Sequence, residues 1–205
     1  ISYVNTTAAT KALTDVVVTS SNAKQIVESF SEDTPIIFGP DKNLGGYINS
    51  VTGRNMLLWD GACHVHERFS VEKIIELKKQ YPDAKILVHP ECKGAVAKLA
   101  DKVGSTAALL KYAIEQPAKE YIVATESGIL HEMQKSCPDK TFIPAPPSDS
   151  NCACNECNYM RLITLEKLYN TLKYEWPEIE VDPAIAEKAI KPINKMLEIS
   201  EKLGL

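Results

Sequence analysis

Short β-rich runs alternate with helical stretches along this chain, and that alternation restricts it to one class of fold. Ile1–Val4 reads as a strand, Thr7–Leu13 as a short helix and Val16-Val17-Val18 as a buried strand. A helix from about Ser21 to Phe30, the strand Pro35–Phe38, a helix near Asn43–Val51 and the strand Asn55–Trp59 continue the series. Strands separated by helices pair in parallel, through crossovers that lay helices on both faces of the sheet. Ser70 is placed to cap a helix over Val71–Gln80, which ends before Pro82, and Lys85–Val88 restarts the alternation as a strand.

The second half lies on the first at an offset of 86 residues without a gap. Tyr3-Val4-Asn5 falls on His89-Pro90-Glu91, Asp15 on Asp101, Thr19-Ser20 on Ser105-Thr106 and Ile36 on Ile122. Identity between the halves is low, so the order of elements and the polar residues at strand ends carry the repeat. The expected fold class is α/β: repeated three-layer αβα units with short parallel sheets (βαβαβ), plus C-terminal helices. The texture changes after Pro144-Ala145-Pro146-Pro147, where Ser148–Asn158 is a polar, Cys-bearing loop. Two amphipathic helices follow, Leu162–Tyr174 and Pro183–Leu203, the latter with Asp182 as N-cap and Pro183 at its first position. They have no sheet of their own and must rest on something else.

Composition narrows the partners. Hydrophobic residues make up 44% and charged residues 24% of 205, a globular balance. A net charge of -4 leaves no basic stripe to meet phosphates, so no nucleic-acid partner is expected. No apolar run approaches the ~20 residues of a membrane span, so no membrane is expected either. Six cysteines are too sparse for a disulfide scaffold, and no basic-then-apolar leader opens the chain; a cytoplasmic location is the expectation. The chain opens with Ile1-Ser2-Tyr3 and not with methionine, which reads as the interior of a longer sequence.

Two groups of residues could carry chemistry. Cys152-Ala-Cys154-Asn-Glu-Cys157 clusters thiols in a loop, and Cys63 lies in Trp59-Asp-Gly-Ala-Cys63-His-Val-His66. Clustered thiols suit a soft metal, a redox pair, or neither. A structural zinc would take Cys152, Cys154, Cys157 and His64 or His66; an iron–sulfur cubane would take thiolates from separate loops. Cys92 and Cys137 stand alone and read as structural, and His131 as a solvated helix residue. The second group sits at the C-terminal ends of strands, where open parallel sheets place their ligands. It comprises Tyr3 and Asn5, Thr19-Ser20-Ser21-Asn22, His89-Pro90-Glu91 and Gly104-Ser105-Thr106. Each alone is a cap or a turn; four at one edge of two equivalent halves point to a crevice for a small acid or phosphate. Phe38-Gly39-Pro40-Asp41-Lys42-Asn43 reads first as a turn into a helix.

These segments, with Cys154-Asn155-Glu156-Cys157-Asn158-Tyr159-Met160, resemble the quinolinate synthase family in order and over nearly the whole chain. The resemblance implies three similar αβα units around a central site and a [4Fe–4S] cluster on three cysteines. It implies Cys63 and Cys157 as two of those ligands, with the third upstream of Tyr3 and outside this chain. It implies Tyr3, Asn5, Ser20, His89, Pro90, Glu91, Ser105 and Thr106 as substrate-binding positions, and Glu91, Tyr3 and His89 as catalytic. The activity implied is that of a transferase of NAD biosynthesis, condensing iminoaspartate with dihydroxyacetone phosphate to give quinolinate, phosphate and water. A functional link to L-aspartate oxidase or aspartate dehydrogenase goes with it. The division implied is residues 1–63 as the family's second unit, clipped at its start, 64–157 as the third, and 158–205 as helices packing on the absent first unit. The competing expectations are a non-catalytic module clasped by zinc and a metal-free sugar-phosphate binder.

Overall fold

A computed structural model describes residues 1–148 and 155–205. It begins with β1 (Ser2–Tyr3), α1 (Ala8–Lys11), β2 (Val17–Val18), α2 (Ala23–Glu28), β3 (Ile37–Phe38), α3 (Lys42–Thr52) and β4 (Leu57–Leu58). It continues with α4 (Val71–Gln80), β5 (Lys85–Val88), α5 (Gly94–Ala97), β6 (Lys102–Val103), α6 (Thr106–Glu115), β7 (Glu120–Ala124), α7 (Ile129–Ser136) and β8 (Thr141–Pro144). Two helices close the chain, α8 (Leu165–Tyr174) and α9 (Pro183–Lys202).

The second unit is one parallel sheet in the order β6-β5-β7-β8. In the first unit β1 pairs with β2 and β3 with β4, again in parallel. The Ile1 amine donates to Ile37 O at 2.8 Å and Gly39 N–H to Ile1 O at 2.9 Å, which joins these pairs into β2-β1-β3-β4. The two units therefore share one strand order. The repeat also holds in register: Ser2 faces Val17 and Tyr3 faces Val18, while Val88 faces Val103, each pair fifteen residues apart.

Local chemistry explains where the elements start and stop. Ser70 accepts from Lys73 N–H at 3.2 Å and starts α4 where expected. Asp182 Oδ1 accepts from Ala184 and Ile185 N–H, with Pro183 beginning α9. Thr164 caps α8, so the helix starts at Leu165 and Met160–Leu162 forms a separate 3₁₀ turn. Gly53, at φ 74°, ends α3 in the left-handed region that side chains disfavour.

Three apolar clusters hold the units. Val16, Val17, Val18, Ile26, Phe38, Leu44 and Ile48 fill the first unit. Ile74, Ile86, Val88 and Ile122 cover one face of the second sheet; Leu87, Leu109, Tyr121, Val123 and Met133 cover the other. Burying each such side chain contributes about 1.5–3 kcal/mol. On α9, Ala189, Pro192, Met196 and Ile199 are buried, the last two within the core of the first unit. An apolar stripe shows that a helix will be covered, not by which surface. On α8, Leu165, Leu168, Tyr169 and Leu172 all remain exposed. Among the described residues no helix is long and apolar enough to cross a membrane.

Candidate active site

The polar residues converge at the C-terminal ends of the parallel strands, between the two units. Asp41, just past β3, is buried: its Oδ1 accepts Asn43 and Leu44 N–H and starts α3, while Oδ2 accepts Cys63 N–H at 2.8 Å. One carboxylate thus anchors both a helix and the Cys63 loop. Lys42 N–H donates to Gly61 O at 2.8 Å, and its ammonium lies 3.1 Å from Asp60 and 3.8 Å from Glu67. Lys42 is engaged by its own loop.

That loop delivers His66. It is buried, with Nε2 3.0 Å from Thr125 Oγ1 beyond β7 and Nδ1 3.1 Å from Glu91 Oε2. The Nδ1 contact is off the line of a hydrogen bond, so this buried nitrogen has no aligned partner. His89 stacks on His66 with ring centroids 4.3 Å apart and 15° between planes. The Glu91 backbone N–H donates to His89 Nδ1 at 3.3 Å, which assigns the proton of neutral His89 to Nε2. Cys63, His66 and Glu91 bring their donor atoms within 4.8 Å of one another.

The charges follow from this packing. Burial works against charge on His66, but the adjoining Cys63 and Glu91 and their charges raise its pKa to about 9. Burial likewise opposes the Glu91 carboxylate, yet His66 and the charge of His89 hold it below its ordinary value. Burial, then the charge of His66, lowers His89 to about 4 against a smaller opposing effect of Glu91. Burial opposes the Cys63 thiolate too, and the His66 hydrogen bond and charge outweigh it, so the thiol is shifted down. Near neutral pH the site therefore holds a charged His66–Glu91 pair beside a neutral His89.

Tyr3 closes the first-unit side. Ser20 N–H donates to its hydroxyl at 3.2 Å; burial raises its pKa, and the Ser20 bond partly offsets that. The charges of Glu91 and Cys63 raise the phenol's pKa further. Of the positions named from sequence, Cys63, His89 and Glu91 are brought together around His66, with Pro90 buried between the last two, and Tyr3 meets Ser20. Asn5 is exposed. Ser105 caps α6, accepting Ala108 N–H at 3.3 Å, and Thr106 is the first residue of that helix. His66, Asp41 and Thr125 are added. Their types were visible in the sequence; the meeting of His66 with Thr125 and Glu91, and of Asp41 with the Cys63 loop, was not.

Cys157 stands on a neighbouring segment. Its N–H donates to Glu126 Oε1 at 3.3 Å, Asn155 O accepts Ser127 N–H at 2.9 Å, and the buried Asn155 amide donates to Ala145 O. His64 meets Tyr159 edge to face at 5.3 Å, so the loop after Cys63 touches the segment after Cys157. Both thiols are free and half-buried, and two soft donors on touching loops fit part of an iron–sulfur ligand set. Cys92 and Cys137 are buried, the first with its thiol pushed up by burial, and neither suits ligation. Cys152 and Cys154 lie outside the described residues, and with them the proposed zinc clasp; its candidate His66 is already held by Thr125 and Glu91.

Fold and side-chain cluster together define a parallel α/β repeat protein with a buried His–Glu pair and a thiol gathered at its strand ends. The family model described as Quinolinate synthetase A protein matches residues 1–198, and the chain belongs to that family. It is 52% identical over 200 residues to the quinolinate synthase of Synechococcus sp., covering 98% of this chain and 62% of that protein. The quinolinate synthases of Chloroherpeton thalassium (53% over 201 residues) and Microcystis aeruginosa (54% over 200) match with the same coverage. The chain thus spans about 62% of the length of these curated relatives.

Proposed function

We propose that the protein to which this chain belongs condenses iminoaspartate with dihydroxyacetone phosphate, forming quinolinate, phosphate and water for NAD biosynthesis. The observation that carries this reading is the buried His66–Glu91 pair, stacked on neutral His89 and adjoining Cys63, in a chain of this family. Carbon–carbon and imine condensations followed by dehydration need groups that take a proton from carbon and return one to a leaving hydroxyl. Glu91, held as carboxylate, is suited to take it; His66, held protonated, is suited to return it. Neutral His89, with its proton on Nε2, orients a carboxylate by donation. Tyr3 and Ser20 bind the dicarboxylate from the first unit, with Asn5, Ser105 and Thr106 at the rim.

Cys63 and Cys157 would hold two corners of a [4Fe–4S] cluster, the third thiolate coming from sequence outside these 205 residues. Such a cluster supplies a Lewis-acidic iron with an open coordination position. In this reading residues 1–63 and 64–157 are two of three αβα units, and α8 covers part of the remaining unit with its exposed leucines. The test uses the full-length, iron-loaded protein, assayed anaerobically for quinolinate from the two substrates. Turnover that falls steeply in Glu91→Gln, with iron content unchanged, supports the reading; near-normal turnover in that variant removes Glu91 from the chemistry.

A further inference from the structure

The turn that carries Ser20 is held in an unusual way. Asn22 occupies the N-cap position of α2 yet makes no side-chain cap to that helix. Its Oδ1 points backwards instead, accepting Thr19 N–H at 2.8 Å and the Thr19 hydroxyl at 3.1 Å. The equivalent turn of the second unit is conventional, with Ser105 Oγ accepting Ala108 N–H. The first unit forgoes a side-chain cap at this turn. What it obtains is a rigid Thr19–Ser20 corner whose Ser20 N–H meets the Tyr3 hydroxyl.

The other end of the Asn22 amide is used as well. Nδ2 donates to Ser200 Oγ at 3.3 Å, across 178 residues of sequence. Ser200 is on the last turns of α9, next to Ile199, which is buried in the core of the first unit together with Met196. The apolar face of α9 thus fixes the height and rotation at which Ser200 meets Asn22. Both ends of one carboxamide are spoken for, one by the turn and one by the C-terminal helix. Ser200 lies just beyond the residues that the family model matches.

We propose that Ser200 and Asn22 form a positioning pair through which α9 sets the Thr19–Ser20 turn, and with it the Tyr3 hydroxyl, for binding the dicarboxylate substrate. Neither residue touches substrate; both act through Ser20 and Tyr3. The inference rests on the reading of Tyr3 and Ser20 as substrate contacts. It predicts an effect on affinity, not on the chemical step, because Glu91 and His66 are positioned by other elements.

The experiment compares wild type, Tyr3→Phe, Asn22→Ala, Ser200→Ala, Ser200→Thr and the Asn22→Ala/Ser200→Ala double variant of the full-length, iron-loaded protein. KM for iminoaspartate, kcat, iron content and the Kd for quinolinate are measured. Ser200→Ala and Asn22→Ala should each raise KM and Kd about three- to tenfold, the weight of one hydrogen bond, with kcat nearly unchanged. The double variant should be no worse than Asn22→Ala alone, and Ser200→Thr, which keeps the hydroxyl, should restore wild-type values. Tyr3→Phe should also weaken binding. Wild-type KM in Ser200→Ala, or multiplicative effects in the double variant, would overturn the pair while leaving Tyr3 in place. Parallel losses of kcat and KM that Ser200→Thr does not rescue would reduce it to a structural contact. A Tyr3→Phe protein with unaltered binding would overturn the pair together with the reading on which it rests.

Discussion

Single carboxylates in this protein serve two masters, and that makes conservative changes informative. Asp41 is buried and satisfies the start of α3 with one oxygen and the Cys63 N–H with the other. Asparagine offers only one acceptor, so Asp41→Asn must leave either the helix start or the Cys63 loop unsatisfied. We expect a loss of about 1–3 kcal/mol in urea unfolding, the cost of a buried unpaired group. Asp101 illustrates the pH dependence. It accepts Ile86 N–H at 2.8 Å and Lys85 Nζ at 2.9 Å, and although partial burial opposes its charge, these partners depress its pKa. A depressed carboxylate adds stability above its unfolded pKa of about 4 and loses it as pH falls through the folded value. Because the site is partly exposed, Asp101→Ala should cost only about 1 kcal/mol at pH 7. Thermal midpoints of the two proteins should converge as pH falls below the depressed folded value of Asp101, where its carboxyl is neutral in both folded and unfolded states. At this scale the sequence was partly legible: Glu91, His89 and Cys63 stand out by type and position. The role of His66 did not, because its partners Glu91 and Thr125 come from segments that follow other strands.

Elements were legible where their signals are local. Ser70 before Val71–Gln80, and Asp182-Pro183 before α9, specify helix starts through backbone donors within three residues, so no tertiary information is needed. The strand register of the repeat was legible for a similar reason, since polar residues end each strand at equivalent positions. Strand lengths were not: four- and five-residue runs in the first unit form two-residue pairs, because only those positions find a parallel neighbour. Close approach was hidden as well. A Cβ on Gly45 would lie 2.5 Å from Leu58 Cδ2 and 2.9 Å from Phe38 Cδ1, so α3 sits directly on β3 and β4. Gly45→Ala should therefore destabilise by about 1–3 kcal/mol through overpacking, despite alanine's better helix propensity. Stability equal to or above wild type in thermal unfolding would show that Phe38 and Leu58 yield without strain.

At the scale of the whole molecule the chain presents two repeats of one topology, with a candidate site at their strand ends and, among the described residues, α8 with its apolar side chains exposed. The pairing of units through strand-end residues explains why loops far apart in sequence meet at Cys63, His66 and Glu91. Two thiolates on touching loops hold a cubane less firmly than three, because metal sites gain stability from all ligands together. We therefore expect the 205-residue chain by itself to retain about two irons or fewer after anaerobic reconstitution and to form no quinolinate. The most direct measurement is iron and acid-labile sulfide counting on the full-length protein and on its Cys63→Ser and Cys157→Ser variants, with quinolinate formation followed in parallel. The account predicts about four irons and turnover in the parent protein, and loss of both in each variant. Serine variants that keep about four irons and still form quinolinate would contradict it.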